Sequence, residues 1–266
     1  MRWVLGLGLV IVGCSGGMEE AADGGGAGSG GGMEEPSAGT GSGSGSGTNG
    51  EAEKFGEAYS GGEFHMGPVD WEESQWHNAC APATKYAASV RAVEGTLLAG
   101  LWNGVKDVSS YCDACIRVET ARGKAATLRV VTYGETSRNS IDVSPDAYAM
   151  LDSGEYPRGM TWTFTKCPDT GKVMYEFQTG SSEWWTSFWV RNARVPLRKV
   201  EVKSQKHDYA ALTRGSDGTL TDAGGFGKGA FSIRLTGIDG SQIVHDFQWP
   251  SAGIAGQMLQ GQGNFE

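Results

Sequence analysis

Five cysteines and four histidines are the residues of this chain best suited to metal or redox chemistry. Their spacing decides between the two. Cys112-Asp113-Ala114-Cys115 is a C-x-x-C pair, but zinc would need a second close pair or histidines at ligand spacing. Cys80, Cys167, His65, His77, His207 and His245 supply neither, so no metal is expected. A thioredoxin-type dithiol belongs to a βαβ unit, and no such pattern surrounds this one. In an oxidising compartment Cys80, Cys112, Cys115 and Cys167 form two disulfides, in any of three pairings. Cys14 is then left over. Nine Trp, eight Tyr and nine Phe in a chain of net charge −9 point to a specific surface that is aromatic rather than electrostatic. No cofactor is expected.

The elements that must position these residues lie in the last four-fifths of the chain. Short β-type runs separated by turn signals fall at 115–119, 127–133, 160–166, 173–178, 184–191, 197–203, 209–212, 231–237 and 242–247, with breakers such as Pro168-Asp169-Thr170-Gly171 and Ser216-Asp217-Gly218. Ser144-Pro145-Asp146 alone reads as a helix start, with Ser144 as N-cap and Pro145 at the first helical position. The chain is therefore expected to be all-β. The last cysteine and the Pro168 turn mark a boundary, giving domains at 54–168 and 171–266.

The residues before them cannot build a core. Fifteen of the 43 glycines fall within 15–53, which has no aromatic residue and no Val, Ile or Leu, so a disordered spacer is expected there. Met1-Arg2 and the apolar run from Trp3 to Val12 read as an export signal, about ten residues long and too short to span a bilayer. Ile11-Val12-Gly13-Cys14 resembles a bacterial lipobox, in which Cys14 becomes the lipidated N-terminus of a mature protein held on the cell envelope outside the cytoplasm, at an outer membrane or cell surface. The bland alternative is an ordinary signal peptide with an incidental cysteine. A coil of this composition reaches roughly 30–40 Å from its anchor. Residues 54–266 carry 24 acids against 21 bases, too balanced for a nucleic-acid surface.

Three patterns then occur in order: Tyr111-Cys112-Asp113-Ala114-Cys115-Ile116-Arg117-Val118, Leu128-Arg129-Val130-Val131-Thr132, and Ile141-Asp142-Val143-Ser144-Pro145-Asp146-Ala147-Tyr148. Past the boundary come Tyr175-Glu176-Phe177-Gln178-Thr179-Gly180-Ser181-Ser182-Glu183-Trp184-Trp185 and Val190-Arg191-Asn192-Ala193-Arg194-Val195-Pro196-Leu197. Over roughly residues 80–248 the chain resembles a bacterial expansin. The resemblance implies a six-stranded double-psi beta-barrel followed by an immunoglobulin-like β-sandwich that binds carbohydrate. It also implies the pairing Cys80–Cys112 and Cys115–Cys167.

In that family a barrel groove keeps one acid-like Asp, here Asp142, and lacks the base that hydrolysis needs. Tyr133 and Glu135 match the family's groove Tyr and Glu. The Asp that normally follows Val-Thr is absent from Val131-Thr132-Tyr133-Gly134-Glu135. Asp142 has a plainer alternative, bonding the first amides of the helix after Ser144, and Glu135 could simply be solvated. Glu63, His65 and Asp70 lie where the pattern breaks and could replace lost contacts. Trp184 and Trp185 match the family's sugar-stacking pair, and its third aromatic falls near Asp217. Strand alternation puts Trp185, Ser187 and Trp189 on one face, so Trp189 is expected to complete the row.

The implied function is non-hydrolytic loosening of cell-wall polysaccharide by a monomer, with cellulose, xylan or peptidoglycan as partner and a membrane contact through the lipid alone. The competing readings are a glycoside hydrolase or lytic transglycosylase on the same barrel, which needs two carboxyls, and a purely carbohydrate-binding lipoprotein.

Overall fold

The structure is a computed structural model that describes residues 53–67, 69, 79, 80 and 88–266. Cys14, the export signal, nearly all of the spacer, Asp70 and His77 lie outside the described residues.

Six strands close into a barrel: β1 Lys54–Met66, β2 Leu98–Trp102, β3 Cys115–Thr120, β4 Ala125–Gly134, β5 Ile141–Val143 and β6 Gly159–Thr165. Their order around it is β1-β5-β2-β4-β3-β6, with β1/β5 and β2/β4 parallel. Alternation places Ile116 and Val118 of β3, Leu128 and Val130 of β4, and Trp162 and Phe164 of β6 inside. Trp162 stacks on Tyr59, ring centroids 4.0 Å apart, and donates its indole N–H to the Asn139 carbonyl at 3.0 Å. That bond satisfies the one polar atom of a fully buried ring. Between β5 and β6, helix α2 (Pro145–Leu151) starts where the sequence places it: the Ser144 hydroxyl accepts from the Ala147 amide at 3.4 Å. A first helix, α1 (Ala88–Glu94), was not expected; Gly95, at φ +74°, stops it.

The remaining strands form two sheets. One, in the order β10-β9-β13-β14, is built from β9 Leu197–Lys203, β10 Ala210–Ala211, β13 Ala230–Gly237 and β14 Gln242–Gln248. The other, β11-β12-β8-β7-β15, is built from β7 Met174–Phe177, β8 Thr186–Arg191, β11 Thr213–Arg214, β12 Leu220–Asp222 and β15 Met258–Gln260. Phe177, Phe188, Phe226 and Phe231 are buried in a chain of ring contacts between the sheets. Each buried ring stabilises the sandwich by roughly 1.5–3 kcal/mol. Across the same core the Tyr175 hydroxyl meets Nδ1 of buried His245 at 2.6 Å. A Cβ at Gly261 would lie 2.4 Å from that imidazole, so the close approach requires glycine there. On β9, Glu201 lies between Arg234 and Lys199, at 2.9 and 2.8 Å, which push its carboxyl down to about 2. The all-β expectation, a barrel followed by a sandwich, holds.

Cys80–Cys112 and Cys115–Cys167 are bonded, at S–S distances of 2.06 and 2.08 Å. Both crosslink the barrel to itself, on the side where the Cys167 amide donates to the Arg194 carbonyl of the sandwich at 2.8 Å. Asp113, between two of these cysteines and at φ +70°, is buried and accepts from the Asn192 amide at 2.8 Å. Arg191 of β8 donates to the Cys80 carbonyl at 3.0 Å and to Glu176 at 2.8 Å. A buried cation needs such partners, because one left without them would cost about 3–5 kcal/mol.

Candidate functional site

β5 has only three residues, and burial of Ile141 and Val143 in the barrel turns Asp142 outward. In the ladder His65, Asp142, Gly100 and Thr132 form one row across β1, β5, β2 and β4. Gly100 lets its neighbours close in on the middle of the row: a Cβ there would lie 2.8 Å from Thr132 Cγ2, 3.6 Å from Val69 Cγ2 and 3.8 Å from Asp142 Cβ. A Cβ at Gly67 would come within 2.7 Å of Asp142 Cβ. The two glycines therefore let the chain pack closely against one carboxyl. Burial there raises the Asp142 pKa above its usual 3.8, and the nearby His65 opposes the shift only in part. A carboxyl so placed holds its proton to a higher pH than an exposed one and can donate an O–H to a ligand oxygen. Asp142 is not the cap of α2, because Ser144 fills that position.

Tyr133 follows Thr132 on β4, and its hydroxyl donates to the Ser216 carbonyl of the sandwich. Its phenol pKa is raised, first by burial and then by Asp217. Glu135 is exposed in the bend after β4 and makes no hydrogen bond or ion pair among the described residues. The break in the sequence pattern thus brings His65 beside Asp142. Glu63 instead lines a different cleft, with Glu119, Thr120 and Pro157.

The second group of aromatic residues sits on the sandwich. Before β8 the chain makes a tight turn in which the Ser182 amide donates to the Trp185 carbonyl at 2.7 Å and the Thr186 hydroxyl to the Ser182 carbonyl at 2.9 Å. The loop at Gly225, with φ +67°, packs so closely on this turn that a Cβ would lie 2.5 Å from the Glu183 carbonyl oxygen. Lys206 clamps it from the side, donating to the Glu183 carbonyl at 2.7 Å and to the Gly224 carbonyl, with its ammonium 4.6 Å from the Trp184 ring. Two indoles are held out on this turn: Trp184 is 70% exposed and Trp185 37%.

Trp189 does not join them. Alternation placed it beside Trp185 on an open face, but it is only 5% exposed. The loop between β11 and β12 covers that face: the Trp189 indole N–H donates to the Asp217 carbonyl at 2.9 Å, and Gly218 of the same loop packs on Cys112 of the barrel. The face reads as open from one strand alone and is closed by a loop of the same sandwich. Asp217, the position expected for a third aromatic, serves as the anchor of this loop through its bonds to Thr219. Lys206 was missed by sequence reasoning, since no local pattern brings residue 206 to residue 184.

No family model matches the sequence. Among curated proteins, Expansin-YoaJ of Bacillus subtilis strain 168 is 30% identical over 207 residues, 74% of this chain and 76% of that protein. Expansin-like protein 3 of Dictyostelium discoideum is 25% identical over 155 residues, 55% of this chain and 46% of that protein. Among solved structures, the apo expansin of Clavibacter michiganensis superposes with a TM-score of 0.62 at 15% identity, over 79% of this chain and 98% of that one. A point mutant of that expansin in complex with cellohexaose gives 0.61 at 16% identity, with the same coverage. At those identities the solved structures speak for the fold, and the Bacillus relative carries the assignment: the chain belongs to the expansin family.

Proposed function

We propose that this protein is exported, is held on the cell envelope by a lipid on Cys14 beyond the 15–53 spacer, and binds and loosens cellulose or a related β-glucan without hydrolysing it. The observation that carries the reading is the pair of exposed indoles, Trp184 and Trp185, fixed on a turn with little freedom to move. Pyranose rings present C–H faces that stack on indole without charge, so such a pair suits a flat neutral glycan. The two disulfides fit an oxidising compartment.

In this reading Asp142 is a lone acid. Its raised pKa lets it hold a proton to a higher pH than an exposed carboxyl does, and the protonated form donates to a glycan oxygen, replacing a bond that oxygen would otherwise accept from a neighbouring chain. Tyr133 and Glu135, which follow Thr132 at the end of β4, help position the strand. Inverting hydrolysis would need a second carboxyl roughly 6.5–9.5 Å from the first to activate water, and the reading assigns none. The solved complex of a relative with cellohexaose supports the choice of ligand class. The test is to apply the protein to cellulose-based wall strips under load while assaying soluble sugar. Extension with no reducing ends and no muropeptide release supports the reading. Release of either in proportion to protein shows an enzyme, and binding with no extension leaves a carbohydrate-binding lipoprotein.

A further inference from the structure

A cleft of about 450 Å³ opens on the sandwich between the turn that carries the exposed indoles and the loop after β14, and Ser182, Glu183, Lys228, Trp249, Ser251 and Gly253 line it. Its size lies within the range of small-ligand sites. Trp249 is half-buried, its side chain packed against the sandwich core, and it lines the cleft. Opposite charges sit at the mouth: Lys228 Nζ lies 3.2 Å from Glu183 Oε1. The Glu183 carboxyl is held below its ordinary pKa by its own backbone amide and by Lys228, so it is ionised and acts only as an acceptor. The ammonium acts only as a donor, and Ser182 and Ser251 add hydroxyls that serve either way. An aromatic surface beside a carboxylate, an ammonium and hydroxyls matches a pyranose ring, which offers an apolar C–H face and adjacent O–H groups that both donate and accept.

We propose that this cleft is a second saccharide subsite that takes one neutral pyranose ring. Glu183 is the residue before Trp184, so a chain lying across the exposed indoles passes within one or two residues' reach of the cleft, roughly 3–7 Å along the backbone. The ring that enters is either a branch on that chain or the sugar at its end. Only this adjacency rests on the platform reading; the lining of the cleft does not.

The test follows indole N–H signals of the full chain, labelled with ¹⁵N at tryptophan and assigned by single Trp→Phe variants. Cellohexaose and a β-1,4-glucan oligomer bearing single xylose branches are titrated separately. Movement of the Trp249 signal with the branched oligomer alone assigns the subsite to a branch, and movement with both assigns it to the chain end. A Trp249 signal that stays still with both while Trp184 moves overturns the subsite and leaves the platform standing. Movement of Trp249 without Trp184 does the reverse, and stillness of both overturns both. Lys228→Met is expected to weaken whichever ligand moves Trp249 about fivefold, the worth of one exposed hydrogen bond. An unchanged midpoint for that ligand also overturns the assignment.

Discussion

Asp142 owes its character to its neighbours rather than to its own type. Burial between Gly67 and Gly100 favours the neutral carboxyl, and His65 only partly restores the charge. Because the folded pKa is raised, the proton is bound below the ordinary value near 3.8 and stays bound until the pH passes the raised one. If the protonated acid grips the glycan, wall extension is largest on the acid side and falls as pH rises through that raised value. Asp142→Asn is expected to abolish this pH dependence while binding to insoluble cellulose changes less than about twofold. A variant that keeps the wild-type pH profile would assign the titration to another group. His65 is the member of this row whose contribution could be read only from the register of β1 on β5, because nothing within residues 62–71 pairs it with residue 142.

At the scale of elements, regular alternation made β3, β4, β6, β9, β13 and β14 legible to within one or two residues at either end. Ser144-Pro145 fixed the start of α2. β1 was hidden because its register shifts twice, between Phe55 and Tyr59 and between Ser60 and Gly62, which scrambles the period-two pattern. β5 was hidden because three residues with a central Asp carry no pattern at all. Between β9 and β10, His207 Nε2 meets Asp222 of β12 at 2.7 Å and Nδ1 meets the Asp208 carbonyl at 2.8 Å, joining the Lys206 hairpin to the sheet that bears Trp184. The hydrogen bond to Asp222 raises the imidazole pKa above 6.5. The stabilisation is therefore complete below about 6.5 and is lost as pH rises through the raised value. The melting temperature of wild type is expected to exceed that of His207→Gln in mildly acidic buffer, with the gap closing in alkaline buffer. A gap constant with pH would show that the pair contributes nothing through its charge.

For the whole molecule, the covalent links sit where barrel and sandwich meet. Cys80–Cys112 and Cys115–Cys167 close loops with separations of 32 and 52 residues, each worth on the order of 3–4 kcal/mol in the chain-entropy account. Full reduction is expected to lower the melting temperature by roughly ten degrees or more. A reduced protein that melts with the oxidised one would show that packing holds the barrel without the two crosslinks. Trp189 is misplaced for a different reason: a strand-level reading has no access to what a distant loop lays over a face, whereas the local turn of Trp184 and Trp185 needs no such knowledge. The central claim, that these two indoles hold the glycan, is tested most directly by depletion isotherms on insoluble cellulose. Trp184→Ala/Trp185→Ala is expected to bind at least about thirtyfold more weakly, the loss of roughly 2 kcal/mol typical of a dominant aromatic contact, while Trp189→Phe binds as wild type does. A double variant that binds cellulose as tightly as the unaltered protein would contradict the account.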